Sequence, residues 1–246
     1  MTQPRFKRIM LKVGGESLLG DKPYGIDPKS AQTVAEKIKA IYKRHIQIAV
    51  VIGGGNIFRG LAGSKGGIER STADYMGMLA TVMNGLALQD ALEKMGVPTR
   101  MQSALQMPAV AESFVRRKAI RHMEKGRVII LSAGTGVPYV TTDTGASLHA
   151  LELKCDVLMK ATKVDGIYDK DPMKFPDAKR FKTLTFKDAI EKDGVEVMDT
   201  AALAMSKDNN MPVMVFELFQ GDNLENAVDG IDVGTYVSND VTTEFA

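Results

Sequence analysis

The sequence has no tryptophan, one cysteine and three histidines in 246 residues. A lone Cys155 excludes an intrachain disulfide and fits a reducing, cytoplasmic setting. It stands directly before a run that reads as a strand, where a thiol is expected to be buried and inert. His45, His122 and His149 show no metal-ligand spacing, so no protein-borne metal site is read and all three read as surface or packing residues. No Ser/His/Asp or Cys/His arrangement suggests a nucleophilic enzyme. Excess charge is missing too: 32 Lys and Arg face 30 Asp and Glu, a net +2, which argues against a dedicated nucleic-acid site. No apolar run is long enough to span a bilayer. The basic start MTQPRFKRIMLKVGG has no apolar core of a signal peptide. Neither G-x-x-x-x-G-K-[ST] nor G-x-G-x-x-G occurs, which disfavours a P-loop kinase and a dinucleotide-binding dehydrogenase.

What is present reads as one large α/β unit. The length allows a substantial core, and 44% hydrophobic with 25% charged residues is ordinary for a globular chain. Strands are expected at Arg8–Val13, Gln47–Ile52, Val97–Ser103, Arg127–Leu131, Asp156–Thr162, Pro212–Leu218 and Gly234–Ser238. Helices are expected at Pro28–Arg44, Ser71–Met95, Ala109–Glu124, Thr144–Leu153, Leu184–Asp193, Met198–Asn209 and Leu224–Asp229. Asp27 and Pro28 suit a cap and a first helical position. Thr142 or Asp143 suits the cap of the helix that follows them. Gly20–Asp27, Gly60–Gly67 and Val164–Lys182 read as loops, the first as a flexible excursion. Strands alternating with helices predict a three-layer α/β/α sandwich around a mainly parallel sheet. No linker or repeat divides the chain, so a single domain over 1–246 is expected, with a weak break near Glu152–Asp156. The Met-rich helix Ser71–Met95 could face a second subunit or simply the core.

Three glycine clusters each follow an expected strand: Gly14-Gly15, Gly53–Gly55 and Gly134–Gly136. In a parallel sheet these loops emerge on one edge, where backbone N–H groups can cradle phosphate. The stretch Gly126–Asp143 (GRVIILSAGTGVPYVTTD) carries more glycines and hydroxyls than a turn needs, which favours a binding loop at the carboxyl end of a strand. Lys12 and Lys160 each lie late in a mostly apolar strand. Burying a lysine there is costly, and its plain reading is a packed stem with a solvated amine. Two of them beside glycine loops suit phosphoryl transfer, which needs positive charge on attacking and leaving groups. Arg59 adds a fork for phosphate. Asp165 and Asp171 read most simply as turn residues, although an exposed Asp171 could help hold hydrated Mg²⁺. Asp74, early in its helix, reads as dipole or cap support.

The segments LKVGGESL, VVIGGGNIFRG, DYMGMLATVMNGLALQDAL, LSAGTGVPYVTTDTGASL, LMKATKVDGIYDKDP and VMDTAA resemble, in that order and over nearly the whole chain, the bacterial UMP kinases of the amino-acid kinase family. The resemblance implies phosphorylation of UMP to UDP by ATP with Mg²⁺, in pyrimidine nucleotide biosynthesis and without a phosphoenzyme. It implies an acceptor half over about 1–152 and an ATP half over about 153–246. On that resemblance Lys12 and Lys160 flank the transferred group and Asp143 positions them. Val13, Gly14 and Gly15 hold the transferring phosphate, while Gly55, Arg59, Thr162, Tyr168 and Asp171 match ATP-side positions. Gly54 and Asp74 match acceptor contacts, Asp74 at the ribose. Thr135, Gly136, Val137, Pro138, Tyr139, Val140, Thr141 and Thr142 match the segment around UMP. Asp199 falls on an acidic motif position whose role stays open. Gly14 replaces a serine common in that family. The resemblance also implies a homohexamer with GTP activation and UTP inhibition, the stretch Asp21–Gly25 being tied to the GTP response.

Overall fold

The computed structural model describes residues 4–59, 66–192, 194–195 and 198–246. Most of the Gly60–Gly67 loop expected from sequence lies outside these residues. Ten strands form one sheet, in the order β10-β7-β9-β8-β6-β1-β2-β5-β3-β4. They are β1 (Arg8–Val13), β2 (Gln47–Ile52), β3 (Thr99–Ser103), β4 (Glu112–Ser113), β5 (Val128–Ser132), β6 (Val157–Thr162), β7 (Phe181–Thr185), β8 (Val213–Glu217), β9 (Gly234–Ser238) and β10 (Glu244–Phe245). The pairs β8–β9 and β10–β7 are antiparallel and the other pairings of these strands are parallel.

Side chains of the central strands alternate between two cores, as the two-residue period of a strand requires. Ile9, Leu11 and Val13 of β1 join Val157 and Met159 of β6 on one face, packed under α1 (Pro28–Tyr42), α2 (Arg70–Lys94) and α7 (Asn223–Asp229). Met10, Leu158, Ile129 and Val215 point to the other face, under α3 (Arg116–Glu124), α4 (Thr142–Glu152), α5 (Phe186–Glu191) and α6 (Thr200–Asp208). The result is the expected three-layer sandwich. Burial on both faces explains why these strands read as near-continuous apolar runs.

Several boundaries differ from the sequence reading. The expected helix Ala109–Glu124 is a helix only from Arg116, because Glu112 and Ser113 pair with Gln102 and Ser103 and extend the sheet. Phe181–Thr185, placed half in a loop and half in a helix, is a strand: Phe181 and Leu184 are buried, and Thr185 ends it by capping α5 through the Asp188 N–H. Helix α4 is capped by Thr141, whose hydroxyl accepts from the Asp143 and Thr144 N–H groups, rather than by Thr142 or Asp143. Asp27 caps α1 as expected. The 20–27 excursion is bonded back at Gly25, which exchanges hydrogen bonds with Asn56. Cys155 is buried, and burial pushes its thiol up to about 12.

Candidate active site

Lys12 and Lys160 are register partners on adjacent parallel strands β1 and β6, so their backbones lie one strand spacing apart. From β1 the sheet continues to β2 on one side, and from β6 to β8 on the other. This divergence is the switch point at which open α/β sheets leave a crevice beyond their carboxyl ends. Both lysines fall on the face covered by α4. Their like charges are reconciled by one residue. Asp143, in the first turn of α4, takes Lys12 Nζ at 2.8 Å on Oδ1 and Lys160 Nζ at 2.7 Å on Oδ2. The three side chains are only 12, 16 and 14% exposed, for Lys12, Lys160 and Asp143 respectively, so solvent screens them weakly.

Burial alone would raise the Asp143 carboxyl, but the Lys12 and Lys160 ammoniums outweigh it and hold the group below the usual carboxylate range. A place near the positive end of α4 works in the same direction. For Lys160 the balance is reversed: burial pulls its amine below the ordinary lysine value, against the pull of Asp143. Lys12, Lys160 and Asp143 together carry one net positive charge, and the Asp199 carboxylate acts on Lys160 from beside them.

Lys12 stands on the wall of a cavity of about 310 Å³, with Asp143 and Lys160 behind it rather than on the wall. Gly14, Gly15 and Glu16 line it after β1, and Gly53, Gly54 and Gly55 after β2. Asp74, Gly77, Met78 and Thr81 of α2 complete the lining with Thr135, Val137, Val140 and Thr141 of the loop after β5 and Thr142 at the start of α4. The Thr135 hydroxyl is buried without a protein partner. Asp74 is no cap, since Glu69 fills that place. Its carboxylate instead accepts the Tyr139 N–H and the Arg70 Nε–H, both at 2.8 Å.

Other sequence-predicted residues stand around this cavity rather than on its wall. The Val13 side chain is in the core, and its carbonyl accepts the Gly53 N–H at 2.9 Å. Arg59 is held over the glycine turn by Glu16 at 2.6 Å. Gly136 turns the loop after β5 with a φ of 75°. Tyr168 and Asp171 line a separate cavity of about 420 Å³ with Val164, Pro172 and Phe175. Tyr168 donates to Asp165 at 2.6 Å, and burial together with that bond pushes its hydroxyl up to about 12. Thr162 donates to the Val164 carbonyl at 2.5 Å, at the entrance to that segment. Asp171 is engaged by the Met173 N–H and by Lys174. Glu16 and Thr81 were not read from the sequence. Thr81 carries no local signal, whereas Glu16 directly follows a glycine pair. Asp199, left open above, caps α6 and accepts from the Thr141 and Thr144 hydroxyls, tying the start of α4 to the second half of the chain. Among the described residues no three His, Cys, Asp or Glu side chains gather as a metal cage.

The model of the Amino acid kinase family matches residues 7–217. The chain belongs to the amino acid kinase family. Solved structures of this type are close in fold. A UMP kinase from Bacillus anthracis superposes with a TM-score of 0.94 at 32% identity, covering 98% of this chain and 99% of that one. A UMP kinase from Ureaplasma parvum gives 0.89 at 34% identity over 95% and 99%. A uridylate kinase from Archaeoglobus fulgidus gives 0.71 at 27% identity over 94% and 99%.

In this family member Gly54 is packed against α2 with no room for a side chain. A Cβ there would stand 2.8 Å from the Gly77 carbonyl and 2.9 Å from the Ala80 methyl. Gly54→Ala is expected to displace α2, which carries Asp74, and to cost about 1–3 kcal/mol of stability. Thermal melts together with acceptor KM check this, and a variant unchanged in both refutes the close packing.

Proposed function

We propose that this chain transfers the terminal phosphoryl group of ATP to UMP, giving ADP and UDP as a step of pyrimidine nucleotide synthesis. The observation that carries the reading is the Lys12–Asp143–Lys160 cluster, whose Lys12 stands on the wall of a glycine-lined cavity. An oxygen of the UMP phosphate attacks the γ-phosphorus in line, and the bond from that phosphorus to the bridging oxygen of ADP breaks. The attacking oxygen is already ionised, so no general base is required. Both Asp143 oxygens are accordingly free to serve the lysines.

Lys12 and Lys160 neutralise charge spreading over the transferred group, and main-chain groups of Val13, Gly14 and Gly15 seat it. Gly54, Asp74 and the Thr135–Thr142 segment hold UMP, with Gly136, Pro138 and Tyr139 shaping the loop. Gly55 and Arg59 stand where the two substrates' phosphates meet. Thr162, Tyr168 and Asp171 belong to the ATP side, so residues up to about 152 form the acceptor half of a single domain and the rest the nucleotide-triphosphate half. Mg²⁺ enters with ATP, chelated by its phosphates, and no residue is assigned to it. No helix among the described residues is long and apolar enough to cross a membrane, and a buried, unpaired Cys155 suits a cytoplasmic enzyme.

The test is ADP release from Mg²⁺-ATP against UMP, CMP, dUMP and GMP. Fast turnover with UMP alone supports the reading. Preferential phosphorylation of aspartate, acetylglutamate or carbamate would replace the acceptor. ATP binding without turnover of any acceptor would make the chain a binding protein on this fold. Repeating the assay with GTP and with UTP measures the activation and inhibition proposed for this enzyme.

Self-association as a homohexamer is part of the same proposal. Along α2 the exposed Met76, Leu79, Met83 and Leu86 follow a three-four spacing, with Tyr75 beside them. That spacing makes an apolar seam suited to a copy of itself. Leu79→Glu combined with Met83→Glu is expected to lower the mass in light scattering to that of smaller species. An unchanged mass would place subunit contacts elsewhere.

A further inference from the structure

Helices from opposite layers reach the acceptor loop. From α2, the Thr81 hydroxyl accepts the Ala133 N–H at 2.7 Å. From α4, His149 places Nε2 3.1 Å from the Gly134 carbonyl oxygen. The loop between them needs holding. Ala133, Gly134 and Gly136 have φ of 64°, 53° and 75°, a left-handed conformation that alanine adopts only where its surroundings enforce it. His149 is 4% exposed. Its Nδ1 lies 2.8 Å from the Glu152 carboxylate, and Phe114 meets the ring edge-on at 4.6 Å.

Both partners of this ring are acceptors, so a neutral imidazole with one proton cannot serve both. We propose that His149 is a positioning residue for the acceptor site: as an imidazolium it donates to Glu152 through Nδ1 and to the Gly134 carbonyl through Nε2, and thereby fixes the loop that holds the nucleotide. This rests on the acceptor reading given above. The charged groups at this end of α4 are Glu152 on the helix itself, Lys154 just beyond it, Asp156 bonded to the Lys7 and Arg8 N–H groups, Arg116 on α3 and Arg8 on β1. Each guanidinium is turned onto a main-chain carbonyl, of Glu152 and of Leu153 respectively, and α6 presents Ser206 to Ser147. When the ring loses one proton, the carboxylate is the stronger acceptor and keeps the Nδ1 proton. The proton lost is therefore the one on Nε2, a lone pair then faces the Gly134 oxygen, and the loop is released on that side.

The experiment has two arms. In the first, ring ¹⁵N shifts of His149 in the full chain are followed from pH about 5.5 to about 8.5. Both nitrogens should be protonated at the acid end, and Nε2 should give up its proton while Nδ1 keeps it. A ring that deprotonates at Nδ1, or that is singly protonated throughout, overturns the proposal, and this arm stands whatever the acceptor is. In the second, KM for UMP and kcat are measured over the same range. His149→Asn should raise KM about three- to tenfold, the worth of one hydrogen bond, with kcat little changed. His149→Arg, which keeps a fixed charge and two donors, should restore KM and remove the His149 part of its pH dependence. Glu152→Gln, which keeps the fold if His149→Asn does not, should move the rise in KM to lower pH. Variants that lower the melting temperature but leave KM and its pH profile alone would assign His149 to packing only. Absence of any UMP turnover in the wild type would strike the functional reading and leave the ¹⁵N result to decide the ring's state.

Discussion

Lys12→Ala is expected to lower kcat by on the order of 10²–10³-fold, the usual cost of removing one preorganised charge from a transition state, while KM for either substrate moves far less. The asymmetry follows from where the charge sits. Lys12 is largely buried and reaches the cavity wall, while the glycine turns and the α2 side of the cavity remain in place to bind substrate. What the variant loses is the net positive charge of the cluster: Asp143 then faces Lys160 alone and the pair is neutral. That charge matters most when negative charge spreads over the transferred group, and little in the ground state. Lys12→Arg is expected to recover little, because a planar fork cannot occupy the place of a compact ammonium beside Asp143. Single-turnover rates with saturating ATP and UMP separate chemistry from product release. A near-wild-type rate in Lys12→Ala would remove this lysine from the mechanism.

The sheet was legible because its central strands are buried on both faces, and Arg8–Val13 or Val128–Leu131 can be little else. The glycine clusters pointed to the functional edge for the same reason, each following one of these runs. β7 was illegible, since FKTLT is polar and short and gains its identity from pairing with β9 and from the burial of Phe181 and Leu184. The site was legible only in part. Lys12, Asp143 and Lys160 are separated by 131 and by 17 positions, and no local pattern links them. The placement of both lysines beside glycine loops suggested a common task, the resemblance to a known family added Asp143, and the β1–β6 register supplies the geometry. Asp199 and His149 show the remaining gap. One looked like a motif residue without a role and the other like a packing residue, and beside a local contact each makes polar contacts to residues distant in sequence.

Asp143→Asn is the second change with a large expected effect, and its signature lies in pH. The amide cannot neutralise either ammonium, so two like charges remain on adjacent strands with little solvent around them. Removing one partner of a buried ionic group costs about 3–5 kcal/mol. Lys160 relieves that repulsion by losing a proton. Burial already pulls the Lys160 amine below the ordinary range and Asp143 opposes that pull, so without the carboxylate the amine falls further. Turnover should drop by on the order of 10²-fold near neutrality, and the basic limb of the kcat profile should move towards acid. The acid side tests the same residue from the other direction. The carboxyl of Asp143 is held below its unfolded value. Its contribution to stability is therefore fully present above the unfolded carboxylate range and is lost as pH falls through the folded value. The stability difference between wild type and Asp143→Asn should consequently shrink in acid, hold through the neutral range, and narrow again where the variant's Lys160 loses its proton. Chemical denaturation at a series of pH values, run beside the kcat profile, checks both limbs. An unmoved basic limb, or a stability gap that persists undiminished into strong acid, would mean that Asp143 does not govern the charge of these lysines.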